Sequence, residues 1–334
     1  MDLGEVVRPE AKGLALDDTT FEFCSDRVPI KWPNTRQTVT SIRLFKAWGM
    51  TDPKIFTTDM MKAWADLKAY AQSTGAKFLL GVSVTCRPDR DDREFQAGMQ
   101  FIRYVGTEHI MGLAVGNEID LQVGASNRAC LHYLWNDDGY FQTLIRRVAE
   151  FDTIPGLKRL PITAVFSNNA LNGRPFTYKV NKFVKEVWGR YGQRFVLSVN
   201  VYPQFSTGLA KAGCLGATSI GTSFTMGNPA GFTTNVVKTI RDKMKELGHG
   251  DKLLWLGEIG WATRAYCVLR CNQACRSREA LLDYYKNFLK WDLHAGNSDQ
   301  VDHVFYFTLR DSSVFGAHEE FGLIPSCRAS QCKF

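Results

Sequence analysis

The sequence predicts a single (β/α)8 barrel of the TIM type, and three observations predict it. Short runs of β-branched and apolar residues recur along all 334 residues, segments of helical spacing lie between them, and no internal repeat or low-complexity linker divides the chain. Barrels of this kind commonly exceed about 250 residues as one unit, so the length suits one domain. The expected organisation is one domain over 1–334, with 1–12 a disordered leader and 325–334 a C-terminal tail.

The strands fall in order at 13–16, 41–45, 77–84, 110–115, 162–166, 195–201, 252–256 and 301–307. The first is the least marked, four residues before a pair of aspartates. Most are apolar almost throughout rather than alternating, which is the pattern of parallel strands covered on both faces. Between them, 58–70 places Met61, Trp64, Leu67 and Ala71 on one helical stripe, and 276–293 does the same with Leu281, Tyr285, Phe288 and Leu289. Further helices fit 92–105, 138–151, 176–190 and 232–247. The alternative, an open doubly wound sheet, usually carries a glycine-rich cofactor turn, and neither G-x-G-x-x-G nor G-x4-G-K-[ST] is present.

Composition removes several classes of function. With 45% hydrophobic and 22% charged residues, the chain has ample material for a core and is not disordered. The net charge of +7 comes from basic residues scattered among acidic ones, as in the run 87–94, so no nucleic-acid partner is expected. No apolar stretch approaches the roughly 18 residues of a membrane span. The nine cysteines, among them Cys267, Cys271, Cys275, Cys327 and Cys332, read as disulfide partners and favour a secreted or cell-wall protein, although no Asn-x-Ser/Thr sequon accompanies them. His109, His132, His249, His294, His303 and His318 are isolated from one another, so neither a metal nor any other cofactor is expected. No G-x-S-x-G elbow is present. A monomer is expected.

In such barrels chemistry gathers where strands end, because the loops there converge on one mouth. The fourth strand runs into Val115-Gly-Asn-Glu118 and the seventh into Leu256-Gly-Glu-Ile-Gly-Trp261, so each delivers a glutamate behind a glycine that lets the backbone bend or another group approach. One such glutamate is ordinarily a surface or ion-paired carboxylate. Two of them on strands that face each other are the arrangement for retaining glycoside hydrolysis, with carboxyls about 5–5.5 Å apart. Glu118 is expected to be the acid/base and Glu258 the nucleophile, with Asn117 offering its amide to the sugar 2-hydroxyl. The pair must hold different ionisation states at one pH.

The segments Val115-Gly-Asn-Glu118, Val199-Asn-Val-Tyr-Pro-Gln-Phe205, Gly257-Glu-Ile-Gly-Trp261 and Phe321-Gly-Leu323 are similar, in the same order and at comparable spacing, to those of the β-1,3-glucanases of glycoside hydrolase family seventeen. Ile42-Arg-Leu-Phe45 resembles that family's second strand, in which an Arg and an aromatic residue line the site. The resemblance covers roughly 40–325. It implies a retaining β-1,3-glucan hydrolase or glucanosyltransferase on a TIM barrel, with Glu118 as proton donor, Glu258 as nucleophile and Tyr202 against the nucleophile or the adjoining sugar. Four departures accompany it. Ala262 follows Gly-Trp where the family usually has Pro, the eighth strand runs into Thr308-Leu-Arg-Asp-Ser312, His318 replaces a usual Glu with Glu319 and Glu320 displaced, and the first-strand Gly-x-x-Tyr-Gly is missing.

The remaining candidates each have a structural use that competes with a functional one. Trp48, Trp261 and Tyr202 follow strands and suit stacking on pyranose faces, against core packing. Arg43 either holds Glu258 ionised or forms a structural ion pair within the barrel. Phe45 and Phe307 floor the cleft or fill the core. Asp311 and Glu320 reach the cleft or sit in solvated loops, and Asp120 caps a loop or helix. Two other functions fit the same residues: a barrel that binds β-glucan without cleaving it, and a retaining glycosidase acting on mannan or cellulose.

Overall fold

A computed structural model describes residues 2–49, 57–122, 127–206, 208–225, 231–263, 277–294, 300–312, 320–329 and 331–334. Eight strands, β1 (Lys12–Leu16), β2 (Ser41–Leu44), β3 (Lys77–Val82), β4 (Ile110–Asn117), β5 (Ile162–Phe166), β6 (Phe195–Val201), β7 (Leu254–Ile259) and β8 (His303–Phe307), pair in parallel in chain order. β8 returns to pair with β1, so the barrel is closed. All eight expected strands are present, and the fold is a single (β/α)8 barrel. The boundary differences fall at strand ends, and the largest is that β4 and β7 extend to include Asn117 and Glu258.

Strand residues divide by parity between two apolar clusters. Leu14, Ile42, Leu44, Leu80 and Val304 point outward into the layer beneath the helices. Ala15, Leu79, Val165, Val196, Trp255 and Phe305 point inward and fill the barrel itself. Both faces are therefore buried, which is why the strands read as continuous apolar runs. At the N-terminal end of the barrel, polar contacts on both faces of the strands are satisfied locally. The buried Lys12 Nζ donates to the carbonyls of Leu289 and Trp291 at 2.9 and 2.8 Å, and Ser41 Oγ lies 2.9 Å from His303 Nε2.

The helices are α1 (Asp18–Phe23), α2 (Thr58–Thr74), α3 (Pro88–Val105), α4 (Arg128–Asn136), α5 (Gly139–Phe151), α6 (Tyr178–Tyr191), α7 (Gly213–Thr222), α8 (Phe232–Glu246) and α9 (Arg278–Lys290). Helix α2 starts where Thr57 accepts from Met60 N and ends at Gly75 in the left-handed region, φ 72°. Its buried stripe runs through Met60, Ala63, Trp64, Leu67 and Ala71, whereas Met61 is 42% exposed. The expected stripe was a residue out of phase at its start. Met60 precedes Leu67 by seven positions, almost two full turns, while Met61 precedes it by six and so faces away. In α9 the stripe Leu281, Tyr285, Phe288 and Leu289 is buried as expected. Helices α1, α4 and α7 had no clear apolar period. Helix α1 forms because the Asp17 carboxylate accepts from Thr19 N and Thr20 N at 2.9 and 3.0 Å.

Two strands carry an extra residue just where the mouth begins. On β4, Ala114 pairs with Thr163 but Asn117, not Gly116, is opposite Val165. On β7, Leu256 pairs with Val199 but Glu258, not Gly257, is opposite Asn200. Strict alternation would turn Asn117 and Glu258 outward under the helices. A bulge at the preceding glycine reverses the parity, so both side chains enter the barrel.

Residues 2–11 correct the expected disordered leader. Val6 is buried, and the amide of Val7 donates to Leu289 O at 2.9 Å, so this segment lies against α9. The expected tail is likewise fixed, since Lys333 Nζ donates to Asp311 Oδ1 at 2.6 Å. Cys24 pairs with Cys327 and Cys86 with Cys130, while Cys332 has no disulfide partner among the described residues; Cys267, Cys271 and Cys275 lie outside them. The first disulfide closes a loop of 303 residues between α1 and the tail. Replacing Cys24 and Cys327 together by Ser should lower unfolding stability by about 2–5 kcal/mol, read as a reduced urea midpoint. An unchanged midpoint would show that the two ends are held by packing alone.

Candidate active site

Glu118 and Glu258 meet at the C-terminal mouth of the barrel. A single group joins them: Asn200 Nδ2 donates to Glu118 Oε1 at 2.9 Å and to Glu258 Oε1 at 2.8 Å, which holds those two oxygens within about 6 Å of each other. Both carboxylates line a cavity of about 340 Å³, together with Asn117, Tyr202, Phe205 and Phe307. Glu118 follows the β4 bulge in a left-handed conformation, φ 50° and ψ 40°, and its amide donates to Val165 O at 2.8 Å, so β5 fixes its backbone. The neighbouring Asp120 accepts from Ser167 N and Ser167 Oγ at 3.0 and 2.6 Å, which ties the β4 loop to the β5 loop.

Donors converge on Glu258. Arg43 Nη1 lies 3.0 Å from its Oε1, Asn200 adds a second bond, and the Tyr202 hydroxyl donates to its Oε2. Arg43 is 1% exposed, and both its terminal nitrogens are partnered, since Nη1 also donates to Gly257 O at 2.6 Å and Nη2 to Asn117 Oδ1 at 2.8 Å. It lies over the Phe45 ring, 4.5 Å from the centroid. No side chain fits at position 257, because a Cβ there would lie 2.7 Å from both Asn200 Oδ1 and Val165 Cγ1 and 2.9 Å from Arg43 Nη1.

The electrostatics separate the two acids. Burial, and then the negative charge of Glu258, push the Glu118 carboxyl up to about 7. Burial and the same charge push the Tyr202 hydroxyl well above the usual phenol range, so it remains a donor. Glu118 thus carries a proton near neutral pH beside a carboxylate surrounded by donors, which is the division of labour that acid and nucleophile need.

The structure brings Glu118, Glu258, Asn117, Arg43, Phe45 and Tyr202 together. It places the other four candidates elsewhere. Trp48 is fully buried in the helix-side core, its ring 6.5 Å from that of Trp64. Trp261 is fully buried too, packed against Tyr284 at 5.8 Å, so neither tryptophan offers a face to a sugar. Asp311 accepts from Lys333 Nζ and from Gly322 N at 2.9 Å, and Glu320 Oε2 accepts from Thr263 at 3.2 Å, so both secure loops outside the cavity lining. Two kinds of residue went unpredicted. Asn200 was signalled by strand parity, lying two positions before Tyr202 on the same face. Phe205 and Phe321, which line the cavity with Ser167, Asn168 and Asn169, lie in loops with no period to read.

No protein-family model matches the chain, and no curated protein matches it in sequence. Similar solved structures do exist. One is a β-1,3-glucanase and allergen of Cryptomeria japonica pollen, with a TM-score of 0.61 and 16% identity over 86% of this chain and 87% of that one. Another is a β-glucuronidase of Bacteroides uniformis, with a TM-score of 0.51 and 12% identity over 85% of this chain and 29% of the other. The chain therefore spans about a third of the glucuronidase but most of the glucanase. These neighbours are glycoside hydrolases, and at such low identity the likeness establishes the shared barrel.

The raised Glu118 carboxyl makes a linked prediction. An unfolded glutamate titrates near 4.3, so ionising Glu118 in the folded protein costs stability progressively as pH rises from about 4.5 through 7. Glu118→Gln should therefore melt a few degrees higher than the wild type at pH 8, with the difference gone below pH 4.5. A gain that is the same at both pH values would mean that Glu118 is not perturbed by its surroundings.

Proposed function

We propose that the chain is a retaining glycoside hydrolase that cleaves β-1,3-linked glucan by double displacement. The observation that carries this reading is the single Asn200 amide bonded to both glutamates. It keeps one oxygen of each within about 6 Å of the other, a spacing suited to direct attack on the sugar and short for an inverting enzyme that must fit a water between carboxyls about 6.5–9.5 Å apart.

In the first step Glu258 attacks C1 while Glu118 gives its proton to the departing oxygen. In the second Glu118 takes a proton from water as the water oxygen bonds to C1 and the bond from C1 to Glu258 breaks. The Tyr202 hydroxyl and the Arg43 guanidinium hold the attacking carboxylate in one rotamer, which lowers the ordering needed at the transition state. Asn117 has its Oδ1 engaged by Arg43, which leaves Nδ2 as the donor for the sugar 2-hydroxyl. The protein's own carboxylates suffice for both steps. Support for β-1,3-glucan as the substrate comes from the ordered motif resemblance and from the glucanase among the structural neighbours. The two disulfides favour an extracellular setting.

Proton NMR of the first product formed from a β-1,3-linked glucose oligosaccharide should show the β-anomer; initial release of the α-anomer would rule out double displacement. Products longer than the substrate would identify transfer to sugar rather than to water. Glu258→Gln should lower kcat at least a hundredfold with little change in oligosaccharide binding, since covalent catalysis contributes several kcal/mol. Glu118→Ala should lose most activity on glucan but retain it on a dinitrophenyl β-glycoside, whose leaving group needs no proton. Equal losses on both substrates would remove Glu118 from the acid role.

A further inference from the structure

The turn that carries Glu118 is held by a further carboxylate. Glu118 opens a short 3-10 turn, Ile119–Leu121, in which Leu121 N donates to Glu118 O at 2.9 Å, and Asp120 is the middle residue of that turn. The end of β5 grips it twice. Val165 O accepts from Glu118 N at 2.8 Å, and two residues further along each segment Asp120 accepts from Ser167 N at 3.0 Å and from Ser167 Oγ at 2.6 Å. Ser167 Oγ also accepts from Asn169 N at 3.1 Å, which turns its one proton toward Asp120. The Asp120 carboxylate therefore faces two donors in fixed directions, and such donors favour the ionised acid. Burial of the carboxyl pushes the other way, and the two Ser167 bonds oppose it.

The charge held in this way is not neutralised by a neighbour. Among the described residues no Lys, Arg or His forms an ion pair with Asp120, whereas Glu258 has Arg43 at 3.0 Å. Glu118 is faced by Glu258 from β7, by Arg43 from β2, by the Asn200 amide from β6, by the Tyr202 hydroxyl just beyond β6 and by Asp120 from its own turn. Arg43 is committed to Glu258, Gly257 O and Asn117, so Asp120 is the negative charge near Glu118 that no cation shares. Burial and Glu258 raise the Glu118 carboxyl most, and Asp120 adds to them against the Asn200 bond and Arg43. Tyr140, whose hydroxyl donates to Val115 O at 2.7 Å behind the β4 bulge, feels the same charge. Burial, and then Asp120, push its hydroxyl well above the usual phenol range.

Resting on the glycosidase reading of Glu118, we infer that Asp120 is a positioning residue for the acid, its carboxylate anchored on Ser167 so that a fixed negative charge keeps a proton on Glu118. Asp120 is not among the residues that line the catalytic cavity, so it acts through Glu118 and not on the sugar. The arrangement separates two tasks within one turn. The backbone bond to Val165 fixes where Glu118 stands, and the Ser167 bonds fix where the charge beside it stands. A charge fixed in advance needs no reordering when the proton leaves for the departing oxygen.

Two variants separate the charge from the tie. Asp120→Asn removes the charge and keeps the shape, since the amide oxygen accepts from Ser167 N while the amide nitrogen donates to Ser167 Oγ. With a β-1,3-linked glucose oligosaccharide as substrate, the basic limb of the pH profile of kcat/KM should move to lower pH by about half a unit or more, because Glu118 then loses its proton sooner. Ser167→Ala keeps the charge and one of the two bonds, and should leave that limb in place whatever it costs in rate. A limb that stays put in Asp120→Asn overturns the inference and leaves the glycosidase reading intact. An equal shift in both variants also overturns it, since loosening of the loop would then be the cause. A second measurement needs no turnover: infrared titration of the carboxyl band that Glu118→Gln abolishes. Its midpoint should be lower in Asp120→Asn than in the wild type, and an unchanged midpoint refutes the inference even if the protein hydrolyses nothing. A lowered midpoint in a protein that cleaves no glucan would uphold the effect of Asp120 on Glu118 and remove the glycosidase reading alone.

Discussion

The mouth of this barrel is organised around a buried positive charge. Arg43 rises from the middle of β2 into a space with almost no access to water, where an unpaired guanidinium would be prohibitively costly. Its partners come from three other parts of the chain: Glu258 and the Gly257 carbonyl on β7, Asn117 on β4, and the ring of Phe45 just beyond its own strand. Each is positioned as much by the need to neutralise and solvate Arg43 as by its own backbone. A planar fork can bond a carboxylate, a carbonyl and an amide together in fixed directions, which the single ammonium of a lysine cannot do. The charge that orients Glu258 is thus also the element that ties β2, β4 and β7 into one frame.

That frame requires two interruptions of regular strand pairing. Parity alone would bury Asn117 and Glu258 under the helices, and the bulges at Gly116 and Gly257 bring them inside. Gly116 adopts φ 77°, a conformation that a side chain resists, and Gly257 leaves the room that Arg43 and Asn200 occupy. Both glycines are thus part of the site, although neither carries chemistry. They also explain why two segments far apart in the chain each read apolar, glycine, polar, rather than continuing as strand.

Much of this was legible in the sequence because it is local. Continuous apolar runs predicted eight strands, and a glutamate behind a glycine at two strand ends predicted where the carboxylates stand. What the sequence could not rank was which aromatic residues face the cavity. Trp48 and Trp261 follow their strands by four and two residues and Tyr202 by one, yet the tryptophans turn into the helix layer, since the direction of a residue just past a strand depends on how the loop folds back. Helix α1 was hidden for a different reason. It is held by the Asp17 cap rather than by an apolar stripe, so periodicity had nothing to register.

The aromatic side of the cavity shows how a residue that differs from the glucanase motif it resembles is accommodated. Tyr202, Phe205, Phe307 and Phe321 pack edge to face or tilted, with Tyr202 5.7 Å from Phe205 and 5.1 Å from Phe321. Tyr202 and Phe205 lie in the loop after β6, which is pinned by the fully buried Gln204 between them. Gln204 Nε2 donates to Ala262 O at 2.8 Å, and Ala262 N donates back to Gln204 Oε1 at 2.7 Å. A proline at 262 has no N–H and would leave that oxygen without its donor in a dry setting. The backbone of Ala262 and the side chain of Gln204 are therefore two halves of one clamp, which any residue but proline at 262 can complete. Through it the loop that follows Glu258 holds the loop that carries Tyr202, so the hydroxyl that binds Glu258 and the aromatic wall beside it are set by the same pair of bonds.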